Sequence, residues 1–259
     1  MKHCLFVVIL LHTFFACFAQ NAGADSSFRP KIFYPRWGIF QAAPNSESDV
    51  IMLGDSITDW VNWNELFQSP YVRNRGIAGD NTSGVLERLG EVTEGKPSKV
   101  FLKIGINDIT RGYTVASIAK NYRKIVQRIK KESPRTKIYV QTILPKNGGS
   151  NDLSEAVITE RILEVNRHIR QIAKDENVQL IDTYSHFATS SNRLIKEFTY
   201  DGLHLNAAGY EHWKKMIISE IRPPQLEHPR FNQEGHRGIR GLLPENVIPS
   251  MYLAIDHGA

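Results

Sequence analysis

Asp49-Val50-Ile51-Met52-Leu53-Gly54-Asp55-Ser56-Ile57-Thr58 is the stretch on which the fold turns. Residues 49–53 form a short apolar run closed by Gly54, the pattern of a strand covered on both faces in a parallel sheet. The polar residues begin where that strand must end. A serine at a strand-to-helix turn can project its hydroxyl from the sheet edge, with nearby backbone N–H groups facing incoming negative charge. Gly54-Asp55-Ser56-Ile57-Thr58 also fits a turn in which Asp55 or Ser56 caps the next helix.

Working outward, the apolar run recurs at Val100-Phe101-Leu102-Lys103-Ile104-Gly105, at 137–142 and at 178–182, with a weaker version at 71–75. Helical periodicity fills the gaps. Val115, Ile118, Tyr122, Ile125 and Ile129 recur at threes and fours, as do Ile158, Ile162, Val165, Ile169 and Ile172. Leu205 to Ile221 is expected to form the last helix. This alternation predicts an α/β fold with a mostly parallel five-stranded sheet covered on both faces. Ligands in such sheets bind beyond the carboxyl ends of the strands.

The polar constellations gather at those ends. Asp201-Gly202-Leu203-His204 precedes the last helix. A serine hydroxyl needs a base, and an imidazole serves as one when a carboxylate fixes its tautomer. Ser56 as nucleophile, His204 as base and Asp201 as orienter therefore form one candidate set. Acyl transfer also needs donors for the oxygen that becomes charged. Gly79 follows the weak second strand and can bring a backbone N–H close, and the Asn107 amide follows the third. With the Ser56 N–H they make a candidate oxyanion hole, although ordinary turns also account for both glycine-rich segments. His168 and His212 read as helix-surface residues. Trp60, Trp63 and Phe67 fit either a substrate rim or a helix packed on the sheet.

Together these segments resemble the SGNH hydrolases, also called GDSL-type lipases and esterases. The matching blocks are Gly54-Asp55-Ser56-Ile57, Asn74-Arg75-Gly76 through Gly79, Gly105-Ile106-Asn107-Asp108 and Asp201-Gly202-Leu203-His204. All four stand in the family order, over about residues 48–222. The resemblance implies a flavodoxin-like three-layer α/β/α fold, a Ser-His-Asp triad and oxyanion donors at Ser56, Gly79 and Asn107. It implies no metal and no organic cofactor. Trp37-Gly38-Ile39-Phe40 and Thr142-Ile143-Leu144-Pro145 are similar to a branch containing carbohydrate and sialate O-acetylesterases. The expected substrate is thus a short, acetyl-type ester on a carbohydrate. The alternatives are a lysophospholipase or platelet-activating-factor acetylhydrolase-like lipid esterase, and a non-catalytic carbohydrate-binding protein.

The remaining chain divides around that domain. Residues 1–19 carry Lys2 and an apolar run ending at Cys17-Phe18-Ala19, the layout of a cleaved export signal. Periplasmic or extracellular localisation follows from it, and Phe15-Ala16-Cys17 keeps a lipoprotein open. Both cysteines, Cys4 and Cys17, fall in this segment, so the mature chain offers no thiol for catalysis or zinc. Residues 20–47 read as an irregular lead-in and 48–223 as the hydrolase domain. The tail, 224–259, contains His236-Arg237 and Glu245 in a pattern resembling the opening of a glycerophosphodiester phosphodiesterase, but too short to close a barrel. The net charge of +5 is spread between acidic residues, which gives no footprint for nucleic acid. No stable membrane insertion is expected, and the oligomeric state is not legible. The sequon Asn81-Thr82-Ser83 reads as accidental, since a glycan beside Gly79 would obstruct the site.

Overall fold

The computed structural model describes residues 27–221. The expected export signal, the tail and its His236, Arg237 and Glu245 lie outside the described residues. The described chain opens with α1 (Phe33–Ala42), β1 (Val50–Gly54), α2 (Ser56–Asp59), α3 (Trp63–Phe67) and β2 (Val72–Gly76). It continues through α4 (Thr82–Arg88), α5 (Gly90–Thr93), β3 (Lys99–Lys103), α6 (Ile106–Thr110) and α7 (Val115–Glu132). The last third holds β4 (Lys137–Gln141), α8 (Glu155–Asp175), β5 (Gln179–Ile181), α9 (Thr183–Phe187), a 3-10 turn at Lys196–Phe198 and α10 (Ala207–Ile221).

All five strands pair in parallel, in the order β2-β1-β3-β4-β5. This is the parallel, doubly covered sheet that the strand-helix alternation predicts and the flavodoxin-like α/β/α arrangement that the family resemblance implies. Its order reverses at β1, so the loops after β1, β2 and β3 converge at the switch point where such sheets bind ligands. Every residue of central β1 is buried, which explains why its sequence is an unbroken apolar run. Edge strand β2 carries Arg73, Asn74 and Arg75 instead, the reason its pattern is weak. One helical layer links α4, α7 and α8, and the other pairs α3 with α10. The predicted stripes of α7 and α8 face the core. Ile118, Tyr122, Ile125 and Ile129 are fully buried, and Ile158, Ile162, Val165, Ile169 and Ile172 nearly so. Thr114 and Ser154 cap these two helices by accepting from Ser117 N–H and Val157 N–H.

Two expectations are corrected. The irregular lead-in of 20–47 contains α1. Pro35 sits in its first turn, where the missing N–H breaks no intrahelical bond. Phe33 and Phe40, seven residues apart, bury one face against Ile77, while Tyr34 and Ile39 stay exposed. The helix is thus held by tertiary contact rather than by a regular apolar stripe. His212 is not a surface residue but a half-buried one, its ring 4.7 Å from that of Phe198 and 5.1 Å from that of Phe187.

Candidate active site

Ser56 opens α2 directly beyond β1. The turn is tight because a side chain at Gly54 would meet Thr58 Oγ1 at 2.3 Å and the carbonyl of Lys103 at 2.4 Å. Asp55, the helix cap, accepts from the Ile57 N–H at 3.1 Å and is buried. Capping and a projecting serine therefore coexist here, with Asp55 in the first role and Ser56 in the second. Burial raises the Asp55 carboxyl to about 7, against the opposing Ile57 N–H and the Lys103 ammonium. Lys103 is pushed down to about 7 by the same burial, and donates to Thr142 O and Thr183 Oγ1.

Ser56 Oγ lies 3.0 Å from His204 Nε2, across 148 residues of sequence. His204 Nδ1 lies 2.6 Å from Asp201 Oδ2. Asp201 Oδ1 is occupied separately, accepting from the N–H groups of Leu203 at 2.9 Å and His204 at 2.7 Å. Partial burial works to raise the Asp201 carboxyl, but the hydrogen bonds from His204 and Leu203 outweigh it. They hold it below the usual carboxylate range. Trp60 stacks on the His204 ring with centroids 4.0 Å apart and is half exposed, so it belongs to the site's rim. Trp63 is wholly buried and Phe67 packs beside it in the core.

The loop after β2 forms a turn in which Asp80 N–H donates to Ile77 O at 3.0 Å and Gly79 has φ +79°. Ala78 is not in the left-handed region, so this is a type II turn, whose third position favours glycine. Every other N–H from Ile77 to Asn81 has an acceptor, whereas that of Gly79 has none among the described residues. Ser56 N–H sits in the first turn of α2, where donors have no intrahelical acceptor. Asn107, opening α6 after β3, uses one amide hydrogen on Asp80 O at 2.9 Å and keeps the second. Asp108 ties the same two loops by accepting from Thr82 N–H and Oγ1. The structure thus brings Ser56, Gly79, Asn107, His204 and Asp201 into one locality. Such an arrangement can deprotonate a hydroxyl and offer donors to a nascent oxyanion.

The scan of family models matches the GDSL-like Lipase/Acylhydrolase family over residues 52–212. The chain belongs to this family. As a GDSL-like acylhydrolase it is a carboxylic ester hydrolase. It is 33% identical to the human (Homo sapiens) platelet-activating factor acetylhydrolase IB subunit alpha2 over 196 residues, 73% of this chain and 82% of that protein. Among solved structures, a lipase/acylhydrolase from Enterococcus faecalis superposes with a TM-score of 0.57 at 26% identity, covering 69% of this chain and 99% of that one. The acetylxylan esterase Axe2 from Geobacillus stearothermophilus gives 0.55 at 22% identity, with 70% and 96% covered. Among the described residues no group of three or more His, Cys, Asp or Glu side chains is placed to hold a metal ion.

Sequence reasoning passed over the supports. Arg88 is fully buried, bonds to Asp80 Oδ2 at 2.9 Å and donates to the carbonyls of Gly54 and Arg75. It joins the turn that carries Ser56 to the loop that carries Gly79. Burial raises the Asp80 carboxyl, and the Arg88 guanidinium opposes that rise. Nothing in the local pattern of α4 marks Arg88, since an arginine on a helix is ordinarily solvated.

Proposed function

We propose that this acylhydrolase is a serine acetylesterase acting on an acetyl ester carried by a lipid-type glycerol backbone. The relay from Ser56 Oγ through His204 to Asp201, beside the unpaired Gly79 N–H, carries the mechanistic part of this reading. His204 Nε2 takes the hydroxyl proton as Ser56 Oγ attacks the ester carbonyl. The carbonyl oxygen becomes an oxyanion facing the N–H groups of Ser56 and Gly79 and the free amide hydrogen of Asn107. Collapse breaks the bond to the alcohol, which leaves with the proton from His204. Water, deprotonated by the same imidazole, then releases acetate and restores Ser56. Asp201 holds the Nδ1–H tautomer throughout.

The name of the 33%-identical relative, an acetylhydrolase subunit, supports a short acyl group. For the leaving group, sequence reading puts a carbohydrate such as sialic acid or a polysaccharide first. We reverse that order because the relative named as a platelet-activating factor acetylhydrolase subunit matches at 33% over 82% of its length. The acetylxylan esterase, at 22%, speaks for the fold alone. The apolar segment before residue 20 supports action outside the cytoplasm. No helix among the described residues is long and apolar enough to cross a membrane.

Hydrolysis would be followed on p-nitrophenyl acetate, butyrate and octanoate, on 2-acetyl ether phospholipid, on lysophospholipid, and on acetylated xylan and sialic acid. Acetyl esters are expected to be fastest, with the acetylated ether phospholipid ahead of both sugars. Ser56→Ala and His204→Ala should each abolish turnover. Faster cleavage of an acetylated sugar would return the substrate to carbohydrate, and an active Ser56→Ala would remove the serine mechanism.

A further inference from the structure

The N-terminal segment, helix α1 and the residues just before it, meets the loop that presents Gly79 at three points directly and at a fourth through Asp59. Phe33 and Phe40 bury Ile77, the first residue of the type II turn. A side chain at Gly79 would lie 3.2 Å from Cβ of Pro30. Asn81 Nδ2 donates to Phe28 O at 3.2 Å. The fourth contact is indirect and polar: Arg36 Nη2 lies 2.6 Å from Asp59 Oδ1, and Asp59 Oδ2 accepts the Ala78 N–H at 3.1 Å. Asp59 is itself held in place. The Asn74 amide donates to the carbonyls of Thr58, Asp59 and Val61, and its oxygen accepts from Gly76 N–H.

The chemistry of the turn makes this contact consequential. Ala78–Gly79 is the central peptide of the turn, and its N–H is the one left without an acceptor. Glycine at φ +79° sets which way that peptide faces. It does not set where the turn sits relative to Ser56. The Ala78 N–H is one atom group before that peptide, and Asp59 closes α2, the helix that Ser56 opens. A hydrogen bond from Ala78 to Asp59 therefore fixes the distance between nucleophile and oxyanion donor through a path of few bonds. Arg36 occupies the other carboxylate oxygen and keeps Asp59 from turning toward water. We infer that Arg36 and Asp59 are positioning residues for the oxyanion hole, and that α1 is part of the catalytic apparatus rather than a lead-in. This rests on the reading of Ser56 and Gly79 given under Proposed function.

The test compares the full chain with Arg36→Ala, Arg36→Lys, Asp59→Ala and the Arg36→Ala/Asp59→Ala double variant on p-nitrophenyl acetate. Ser56→Ala is the control, and active sites are titrated with a fluorophosphonate so that kcat is expressed per reactive serine. A donor displaced by about an ångström is expected to lower kcat by about 10- to 100-fold, with KM within about twofold of the parent. Arg36→Lys should recover most of the loss, because an ammonium can still reach Asp59. The double variant should be no slower than Asp59→Ala, since both changes release the same contact. A merely structural role predicts fewer titratable sites and a lower Tm, with kcat per site unchanged. That result overturns the inference, as does a loss expressed in KM alone or full additivity in the double variant. If Ser56→Ala keeps the parent rate, the serine reading falls first and takes this inference with it. If Ser56→Ala is inactive while both alanine variants match the parent, only the inference falls.

Discussion

Replacing Asp201 by asparagine tests the relay more sharply than removing it. The two carboxylate oxygens of Asp201 have different work. Oδ1 accepts two backbone N–H groups, from Leu203 and His204, and Oδ2 accepts from His204 Nδ1. An asparagine side chain has one acceptor and one donor end. The two backbone donors require the acceptor, so the amide NH2 is forced toward His204 Nδ1. There it stabilises the tautomer with the proton on Nε2, which cannot take the proton of Ser56. The parent suffers no such conflict, because hydrogen bonds hold the Asp201 carboxyl below its ordinary range, so that both of its oxygens accept. The expected loss in kcat/KM is about 10⁴-fold, or about 5 kcal/mol of transition-state stabilisation. Asp201→Ala should lose less, by about tenfold or more, because water can enter beside a partly exposed position and accept from Nδ1–H. Both variants would be assayed on p-nitrophenyl acetate over a pH series, with circular dichroism and Tm to show that the loop persists. An Asp201→Asn enzyme retaining over a tenth of parental kcat/KM would refute the tautomer argument, and one clearly faster than Asp201→Ala would refute the forced orientation.

Three further outcomes are expected. Arg88→Met leaves Asp80 as an uncompensated buried carboxylate and Glu91 with Arg75 as its only cation among the described residues, so urea denaturation should show a loss of about 3–5 kcal/mol. Lys103, lowered from 10.5 to about 7 by burial, binds fewer protons folded than unfolded between those values. Its contribution is complete above 10.5 and is lost as pH falls to 7, so the rise in Tm across that window should flatten in Lys103→Met. Asp55, raised from 3.8 to about 7, acts oppositely and only below that window. Asn81 is fully buried and caps α4, so expression in a glycosylating host should leave residues 79–84 unmodified by mass spectrometry.

What could be read in the sequence was what is locally constrained. A strand covered on both faces must be apolar throughout, which makes β1 and β3 conspicuous. A hydroxyl, an imidazole and a carboxylate in hydrogen-bonded series can be drawn from few residue types, so the contact of Ser56 with His204 can be anticipated although 148 residues separate them. The supports have no such signature. Arg36 and Asp59 stand 23 residues apart, and Arg88 reaches a carbonyl 34 residues away. Any charged pair on a surface would read the same. Helix α1 escaped notice for a related reason: it satisfies two aromatic contacts and a salt bridge, not a periodic core face.

The sheet topology explains why three of the four loops meet, since those after β1, β2 and β3 share the switch point by construction. His204 comes from elsewhere and needs separate registration against Ser56. Helix α10 supplies it. Tyr210 Oη donates to the carbonyl of Ile57, the residue after Ser56, at 2.9 Å, and Trp213 Nε1 donates to Gln141 Oε1 at 2.7 Å, at the end of β4. On the other side of His204, Thr199 Oγ1 donates to the His204 carbonyl at 2.6 Å and accepts from Gly202 N–H. His204 is thus clamped between a helix bonded to the turn of Ser56 and a loop that closes on itself through Asp201. The 3.0 Å separation of Ser56 Oγ and His204 Nε2 follows from those anchors, which place the final helix by its aromatic residues and the imidazole by its short preceding loop.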